Sequence, residues 1–342
     1  MPDAYPELNE TQRLIRDTAR KIVERELAPH VEKLEHGEEP PYACIKNLAR
    51  GLGMAGDGEF TEAMREASPE DHLEFFVPAA VAIEISRVCA GVLVSYGVSY
   101  GQVAGTIRRH GTPAQQERWV PGLMSGEVVG AWGLTEPGAG SDAFGSMRTT
   151  ARREGDAFVK PFRKMGTHAS PTGAVYLDHV RIPRENLLGG GVRERDHVKG
   201  RLAEERAGMP TLSLGLADRA FELALRYSKE REQFGQPICN FQLIQRRLAR
   251  MYGLLYNMRN FVFADFLAGR KVRMSMADIC AGKLYCCEAA TQITMEAIHI
   301  LGGNGYMEEY EVERLARDAK LMELGGGTTE IQELTIARHL IA

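Results

Sequence analysis

The sequence predicts an α+β fold, mainly α, in the order helical, small β, helical, and three observations carry that prediction. Apolar residues recur at helical spacing from Asn9 and again beyond about Val198. A short β-rich stretch opens near Gly126, and the cluster Gly189-Gly190-Gly191 closes it. The chain accordingly divides into residues 1–126, 127–192 and 193–342. That order argues against a parallel α/β dinucleotide fold, in which strands and helices alternate.

The first helix is signalled by Asn9 as cap, Gln12 at the capping-box position, and an apolar stripe of Ile15, Ala19, Ile22, Val23 and Leu27. Gly51 to Pro69, rich in glycine and then acidic, reads as loop with a short helix. Leu73 to Ala104 is long, apolar and nearly uncharged, so it predicts a helix buried on several sides. Val128 to Leu134 reads as a buried strand followed by the turn-rich Thr135 to Asp142. Ala174 to Pro183, with Val175, Leu177, Val180 and Ile182 apolar, continues the β region. Helices are then predicted over 199–230, 239–268, 275–300 and 328–341, separated by Phe234-Gly235-Gln236-Pro237, Gly269 to Met274 and Leu301 to Gly305.

A net charge of -4 without basic runs removes the electrostatic footprint that nucleic acid or an anionic membrane requires, so small molecules or proteins are the expected partners. The six cysteines lie in apolar helical stretches without CxxC spacing, which fits a reduced compartment. The N-terminus has no charged and apolar leader, and no run of about 18 apolar residues occurs. A cytoplasmic location and no membrane span are expected. No histidine, cysteine and carboxylate set has metal-ligand spacing, so no metal is expected.

Three glycine clusters could bind an anion or a ring edge, and each has a plainer reading. Gly138-Ala139-Gly140 lacks the strand, helix and acidic residue of a dinucleotide fingerprint; with Thr135 and Ser141 it offers backbone N–H groups and hydroxyls, as an ordinary turn also would. Ile300 to Tyr306 suits a helix C-cap. Gly325-Gly326-Gly327-Thr328-Thr329-Glu330 precedes a helix whose free N–H groups suit an anion, with Thr328 as candidate N-cap.

Taken together the motifs are specific. Trp132 to Asp142, Arg231-Glu232-Gln233-Phe234-Gly235, Ile300 to Tyr306, Arg317-Asp318-Ala319-Lys320 and Gly327-Thr328-Thr329-Glu330-Ile331 resemble five segments of the acyl-CoA dehydrogenase family, in order and approximate spacing. The resemblance covers nearly the whole chain. It implies an N-terminal helical domain, a middle β domain and a C-terminal four-helix bundle enclosing FAD, with neighbouring subunits of a homo-oligomer sharing each flavin site. It also implies that Trp132, Leu134, Thr135, Gly140 and Ser141 line one side of the flavin. Arg231, Phe234, Gln242, His299, Gly302, Gly303, Thr328 and Glu330 match further flavin-contacting positions, several reaching the adjacent subunit's flavin. His299 departs from the glutamine common at its position.

The reaction so implied, α,β-dehydrogenation of an acyl-CoA to the 2-enoyl-CoA with electrons passed to an electron-transfer flavoprotein, needs a carboxylate base, an oxyanion site and a dry cavity. Many members carry the base as Glu before the Gly-Thr that corresponds to Gly327-Thr328. This chain has Gly326 there. A second solution, in isovaleryl-CoA and long-chain acyl-CoA dehydrogenases, places Glu before Arg on the first C-terminal-domain helix, which by similarity is Glu205 followed by Arg206. Without the resemblance, Glu204-Glu205-Arg206 would read as a solvated helix start. The Gly326 N–H is the implied thioester-oxygen donor, and Ser141 and Arg206 match positions near the CoA arm. A surface ion pair is the lesser reading for Arg206.

The chain departs from the family pattern in the middle region. Val159 runs directly into Lys160 to Gly166, and about forty β-domain residues are missing between them. Either the strands are absent from the protein, which would expose sheet edges, or the sequence as given omits a stretch; the second is favoured because unpaired edges are costly. Two alternative functions follow: an acyl-CoA oxidase-like flavoenzyme, and a non-catalytic or half-site subunit that completes a partner's flavin site.

Overall fold

The computed structural model describes residues 8–53, 73–138, 140, 141, 156–178, 180, 182–188, 195–266 and 274–341. Helix α1 (Glu10–Glu26) begins where expected. Asn9 Oδ1 accepts the Gln12 N–H at 2.8 Å, and the Gln12 side chain accepts the Asn9 N–H at 3.2 Å. Ile15, Ala19, Ile22, Val23 and Leu27 are fully buried. Two short helices with no counterpart in the sequence reading follow, α2 (Val31–His36) and α3 (Tyr42–Gly51). Most of the predicted Gly51 to Pro69 loop lies outside the described residues.

Helix α4 (Leu73–Tyr96) passes into a π-helical segment, Gly97–Ala104, and then into α5 (Gly105–His110) and α6 (Pro113–Ser125). Ala79, Ala80, Val81, Ile83 and Ile85 are all buried, so α4 is enclosed on several sides, as its composition predicts. Phe76–His110 is long and apolar enough to cross a membrane, but 72% of its apolar window is buried inside the fold, as in a core helix.

The predicted strand over Val128 to Leu134 is not formed. Among the described residues no strand runs beside it, and its N–H groups turn back to the helices, Val128 to the Gly122 carbonyl at 2.9 Å and Gly130 to Ser99 Oγ at 2.9 Å. Val128 and Val129 are exposed rather than buried. Among the described residues the strands of the middle region are the antiparallel pair β1 (Asp156–Pro161) and β2 (Gly173–Asp178). Strand β1 crosses the Val159-Lys160 junction without a break in register, Lys160 opposite Ala174 and Pro161 opposite Gly173.

The C-terminal region starts with α7 (Arg195–Glu230) and a two-residue hairpin of β3 (Glu232–Gln233) and β4 (Gln236–Pro237). Then come α8 (Gln242–Asn260), α9 (Met276–Leu301), α10 (Val312–Leu324) and α11 (Thr329–Ile341). Helix α9 lies centrally, against α7, α8, α10 and α11, so the bundle expectation holds, with α10 added. All six cysteines are free, and five are buried. Ligand-type atoms of His30, Glu39 and Cys44 come within 4.8 Å of one another; His30 Nδ1 and Glu39 Oε1 are joined by a 2.6 Å hydrogen bond that ties the start of α2 to the loop before α3.

One hydrophobic core runs through both helical regions. Helices α4 and α7 meet at backbone distance: a Cβ on Gly215 would fall 2.5 Å from the Ile83 carbonyl oxygen, and Ser86 Oγ donates to the Leu212 carbonyl at 2.7 Å. Only glycine fits there. Charges cross the same seam. Arg87 pairs with Asp218 at 3.0 Å and with Glu222, and Arg259 from α8 also pairs with Asp218; on the α1 side of α4, Arg20 holds Glu84 through two 2.9 Å bonds.

The loop between β1 and β2 docks on α10. Thr167 N–H donates to Asp318 Oδ1 at 2.5 Å, while Asp318 Oδ2 is buried without a partner. Burial pushes this carboxyl from its ordinary 3.8 up to about 6, against the opposing pull of Arg314 and the Thr167 N–H. Folded protein therefore holds a proton that unfolded chain has released, so this group's stabilising contribution is full below its ordinary value and is lost as pH rises through about 6. Asp318→Asn keeps the acceptor but cannot ionise. Relative to wild type it is expected to raise Tm above pH 6, and to flatten the Tm profile between about pH 4 and 6, with on the order of 2–3 kcal/mol at stake. Parallel Tm-against-pH curves for the two proteins would contradict the buried-carboxyl account.

Candidate functional site

Glu205, predicted as base, lies on α7, half-buried, with its carboxylate hydrogen-bonded to the Gln102 side chain on the π-helical segment. Opposite it stands the turn between α10 and α11. Gly326 (φ 63°) and Gly327 (φ 99°) are consecutive left-handed residues, a backbone that side chains other than glycine's resist. A Cβ on Gly326 would lie 3.5 Å from Glu205 Cγ and 3.6 Å from its Cδ and Oε1. The two alternative sequence positions for a base, 121 residues apart in the chain (326 less 205), thus converge on one volume.

Three side chains from three helices grip this turn by its carbonyls. Arg206 Nε donates to Gly326 O at 2.9 Å, Lys283 Nζ to Gly327 O at 2.7 Å, and Gln332 Nε2 to Gly327 O at 2.8 Å and to Gly326 O at 3.4 Å. None of these bonds uses the Gly326 N–H. Arg206 therefore faces the turn and not a surface carboxylate. Burial raises the Glu205 carboxyl above its ordinary range, while the Gln102 hydrogen bond, Lys283 and Arg206 pull it back. Burial also lowers the Lys283 ammonium.

Gln102, Lys283 and Gln332 were not among the predicted site residues. Of the three only Lys283 left a trace in sequence, as a lone cation in the apolar stretch between Cys280 and Cys287. Gln102 and Gln332 carry no local signal.

The segment predicted to line a flavin starts beside this centre, since Gly130 is bonded to Ser99 on the same π-helical segment that carries Gln102. Trp132 and Leu134 are half-buried, whereas Thr135, Gly140 and Ser141 are exposed. Exposed Thr135 and Ser141 hydroxyls near a half-buried aromatic fit the polar edge of a planar ring. Thr328 precedes the first turn of α11, and its hydroxyl hydrogen-bonds the exposed Glu330 carboxylate, which holds that carboxyl below its usual range.

The remaining predicted residues gather at the other end of the bundle. Arg231, Gln242, His299, Gly302 and Gly303 are exposed there, and Asn304 Nδ2 to Tyr227 OH, 3.0 Å, ties the 302–306 turn to the end of α7. The C-cap reading of Gly302 holds, with φ 61° and its N–H returned to the Ile298 carbonyl. Phe234 is 94% exposed at φ 52° in the two-residue loop of the β3–β4 hairpin, edge-on to Phe241 at 6.0 Å. A bulky residue held left-handed and this exposed is strained, and among the described residues the Phe241 ring edge is its one aromatic contact. Along α7 this end lies roughly 40 Å from Glu205. One chain cannot apply both groups to a single small ligand.

Family profiles match most of the chain: the acyl-CoA dehydrogenase N-terminal domain over residues 9–127 and the acyl-CoA dehydrogenase C-terminal domain over residues 196–341. The chain is 33% identical over 383 aligned positions to the Bacillus subtilis (strain 168) protein named Probable acyl-CoA dehydrogenase YngJ, covering 98% of this chain and 99% of the relative. It is 30% identical to the mitochondrial isovaleryl-CoA dehydrogenase of Oryza sativa subsp. japonica, covering 97% and 91%. Among solved structures, butyryl-CoA dehydrogenase from Megasphaera elsdenii superposes with a TM-score of 0.83 at 28% identity, over 98% of this chain and 100% of the other. Glutaryl-CoA dehydrogenase from Mycobacterium smegmatis gives 0.85 at 28%, over 97% and 95%. Because the first alignment spans 383 positions and this chain has 342 residues, at least 41 positions (383 less 342) face a gap in this chain.

Proposed function

Since the chain belongs to the acyl-CoA dehydrogenase family, we propose that it is an FAD-dependent enzyme converting an acyl-CoA thioester to its 2-enoyl-CoA with Glu205 as the base. The observation that carries this reading is the convergence of Glu205 and Gly326. A carboxylate stands where a side chain on Gly326 would point, and the residue that would compete for the space is absent.

Glu205 takes the pro-leaving α-proton onto a carboxylate oxygen. Desolvation brings its basicity toward neutrality, and Gln102 orients it. The Gly326 N–H, its carbonyl already engaged by Arg206, is available to the thioester oxygen as negative charge develops there. When bound, FAD supplies the acceptor for the hydride of the β-carbon. Trp132, Leu134, Thr135, Gly140, Ser141, Thr328 and Glu330 would hold it from this chain. Arg231, Phe234, Gln242, His299, Gly302 and Gly303 would come from a second copy, a reading supported by the length of α7 between the two groups and by the uncovered Phe234. Ser141 and Arg206 flank the CoA arm, and an electron-transfer flavoprotein takes the electrons onward.

The test is anaerobic mixing of flavin-loaded protein with butyryl-, isovaleryl-, octanoyl- and palmitoyl-CoA. Loss of the visible flavin band with formation of the matching 2-enoyl-CoA is expected for at least one of them. Oxygen consumption during turnover would mark an oxidase-like member instead. The hairpin favours one further reading, because Val175, Tyr176 and Leu177 are consecutive and all exposed, leaving both faces of β2 uncovered. A half-site subunit would present such a surface. A lone chain that purifies yellow and active eliminates it; a colourless, inactive chain rescued by a partner establishes it.

A further inference from the structure

We propose that Lys283 is a positioning residue for the reaction centre, holding the Gly326-Gly327 turn in register with Glu205 while placing the one buried ammonium among the described residues beside that carboxylate. The inference rests on the reading of Glu205 as base.

Lys283 lies on α9, the central helix, and is 1% exposed. Lysine is almost never buried so completely unless its charge is partnered. Its hydrogen-bond acceptor is a backbone carbonyl, Gly327 O at 2.7 Å, which is neutral. The carboxylate whose charge favours the ammonium is Glu205, which acts across the turn without a direct ion pair. Burying an ammonium at that cost is understandable if it works on that carboxylate and on the turn facing it.

The geometry of the turn explains why a point donor is needed. Two successive left-handed glycines are the most freely deformable backbone a chain can offer, so the turn has little intrinsic preference for the observed shape. Lys283 and Gln332, which is fully buried, bind the Gly327 carbonyl from opposite helices, and Arg206 binds the Gly326 carbonyl. With both carbonyls fixed, their two peptide planes are fixed, and with them the directions of the Gly327 and Thr328 N–H groups and the position of the Gly326 Cα beside which its own N–H projects.

The charged and titratable groups around this centre are few. Among the described residues, α7 contributes Glu205 and Arg206; α9, Lys283 with the thiols of Cys280 and Cys287; the π-helical segment and α11, the neutral Gln102 and Gln332. Lys283 and Arg206 both pull the Glu205 carboxyl down against desolvation, and Glu205 in turn favours the Lys283 ammonium. Removing the ammonium leaves desolvation less opposed, so the base would hold its proton to higher pH.

The test compares wild type, Lys283→Gln and Lys283→Met as FAD-loaded enzyme, following the rate of anaerobic flavin reduction by an accepted acyl-CoA from pH 5.5 to 9. Lys283→Gln can still donate to the Gly327 carbonyl but is neutral; Lys283→Met is of similar length and can do neither. For Lys283→Gln the acidic limb of the profile is expected to move up by on the order of one pH unit, with the rate near neutrality falling about tenfold and the limiting rate at high pH largely recovered. For Lys283→Met the same shift is expected together with a loss at high pH, because the turn is also released. If Lys283→Met does not fold, Lys283→Gln alone decides. A folded, flavin-loaded Lys283→Gln with the wild-type limb would overturn the proposal. Glu205→Gln is run in parallel: if that variant still reduces flavin at the wild-type rate, the failure belongs to the assignment of the base and not to Lys283.

Discussion

Glu205→Gln is expected to slow acyl-CoA-dependent flavin reduction by about 10³-fold while FAD content and acyl-CoA affinity stay near wild type. The substitution keeps size, shape and the capacity to hydrogen-bond Gln102, and removes only the ability to accept a proton. Neither Glu204 nor Glu330 can substitute. Glu204 points outward to an exposed pair with Arg109, and Glu330 is exposed and engaged by Thr328. Because a Cβ on Gly326 would sit 3.6 Å from the Glu205 carboxylate, the double change Glu205→Ala with Gly326→Glu should recover part of the rate lost in Glu205→Ala. Recovery is limited by forcing a side chain into a left-handed backbone, which costs about 1–2 kcal/mol. A double variant no faster than Glu205→Ala would argue that the two positions do not share one volume.

The largest stability effect is expected at Asp218. It is 5% exposed on α7 and accepts from Arg87 on α4 and from Arg259 on α8, both less than a tenth exposed. Asp218→Ala leaves two buried guanidiniums without this anion at the seam that joins the N-terminal helices to the bundle. Breaking such a pair from one side costs roughly 3–5 kcal/mol, much more than an intact pair contributes. A fall in Tm on the order of 10 °C should follow. Lys46→Ala, which breaks an exposed pair with Glu127, should change stability by less than about 1 kcal/mol. If Asp218→Ala melts within about 2 °C of wild type by calorimetry, the seam is not held as described.

How much of this was legible in sequence depends on how local each signal is. Helix α1 announces itself, because Asn9 and Gln12 satisfy each other's backbone within four residues. The same device, Thr112 with Gln115 and Pro113 at the first helical position, starts α6, so the start of that helix is equally local in the sequence. Helix α10 gave no such opportunity. Its N-cap is Glu311 at φ 64°, with no side-chain cap. Val128 to Leu134 has the composition of a strand, but a strand exists only beside a partner, and partnering is decided by distant parts of the chain. Glu205 and Gly326 were identified by resemblance to a family pattern. The residues that make them into a site, Gln102, Lys283 and Gln332, come from three elements far apart in sequence, and only packing assembles them.

The central claim is that Glu205 is the base of an acyl-CoA dehydrogenase. It is tested most directly by single-turnover stopped-flow, mixing FAD-loaded wild type and Glu205→Gln anaerobically with the same saturating acyl-CoA and following the flavin absorbance. The account predicts rapid bleaching in the wild type and a flavin that stays bound and oxidised in the variant. Equal bleaching in the two proteins would contradict it.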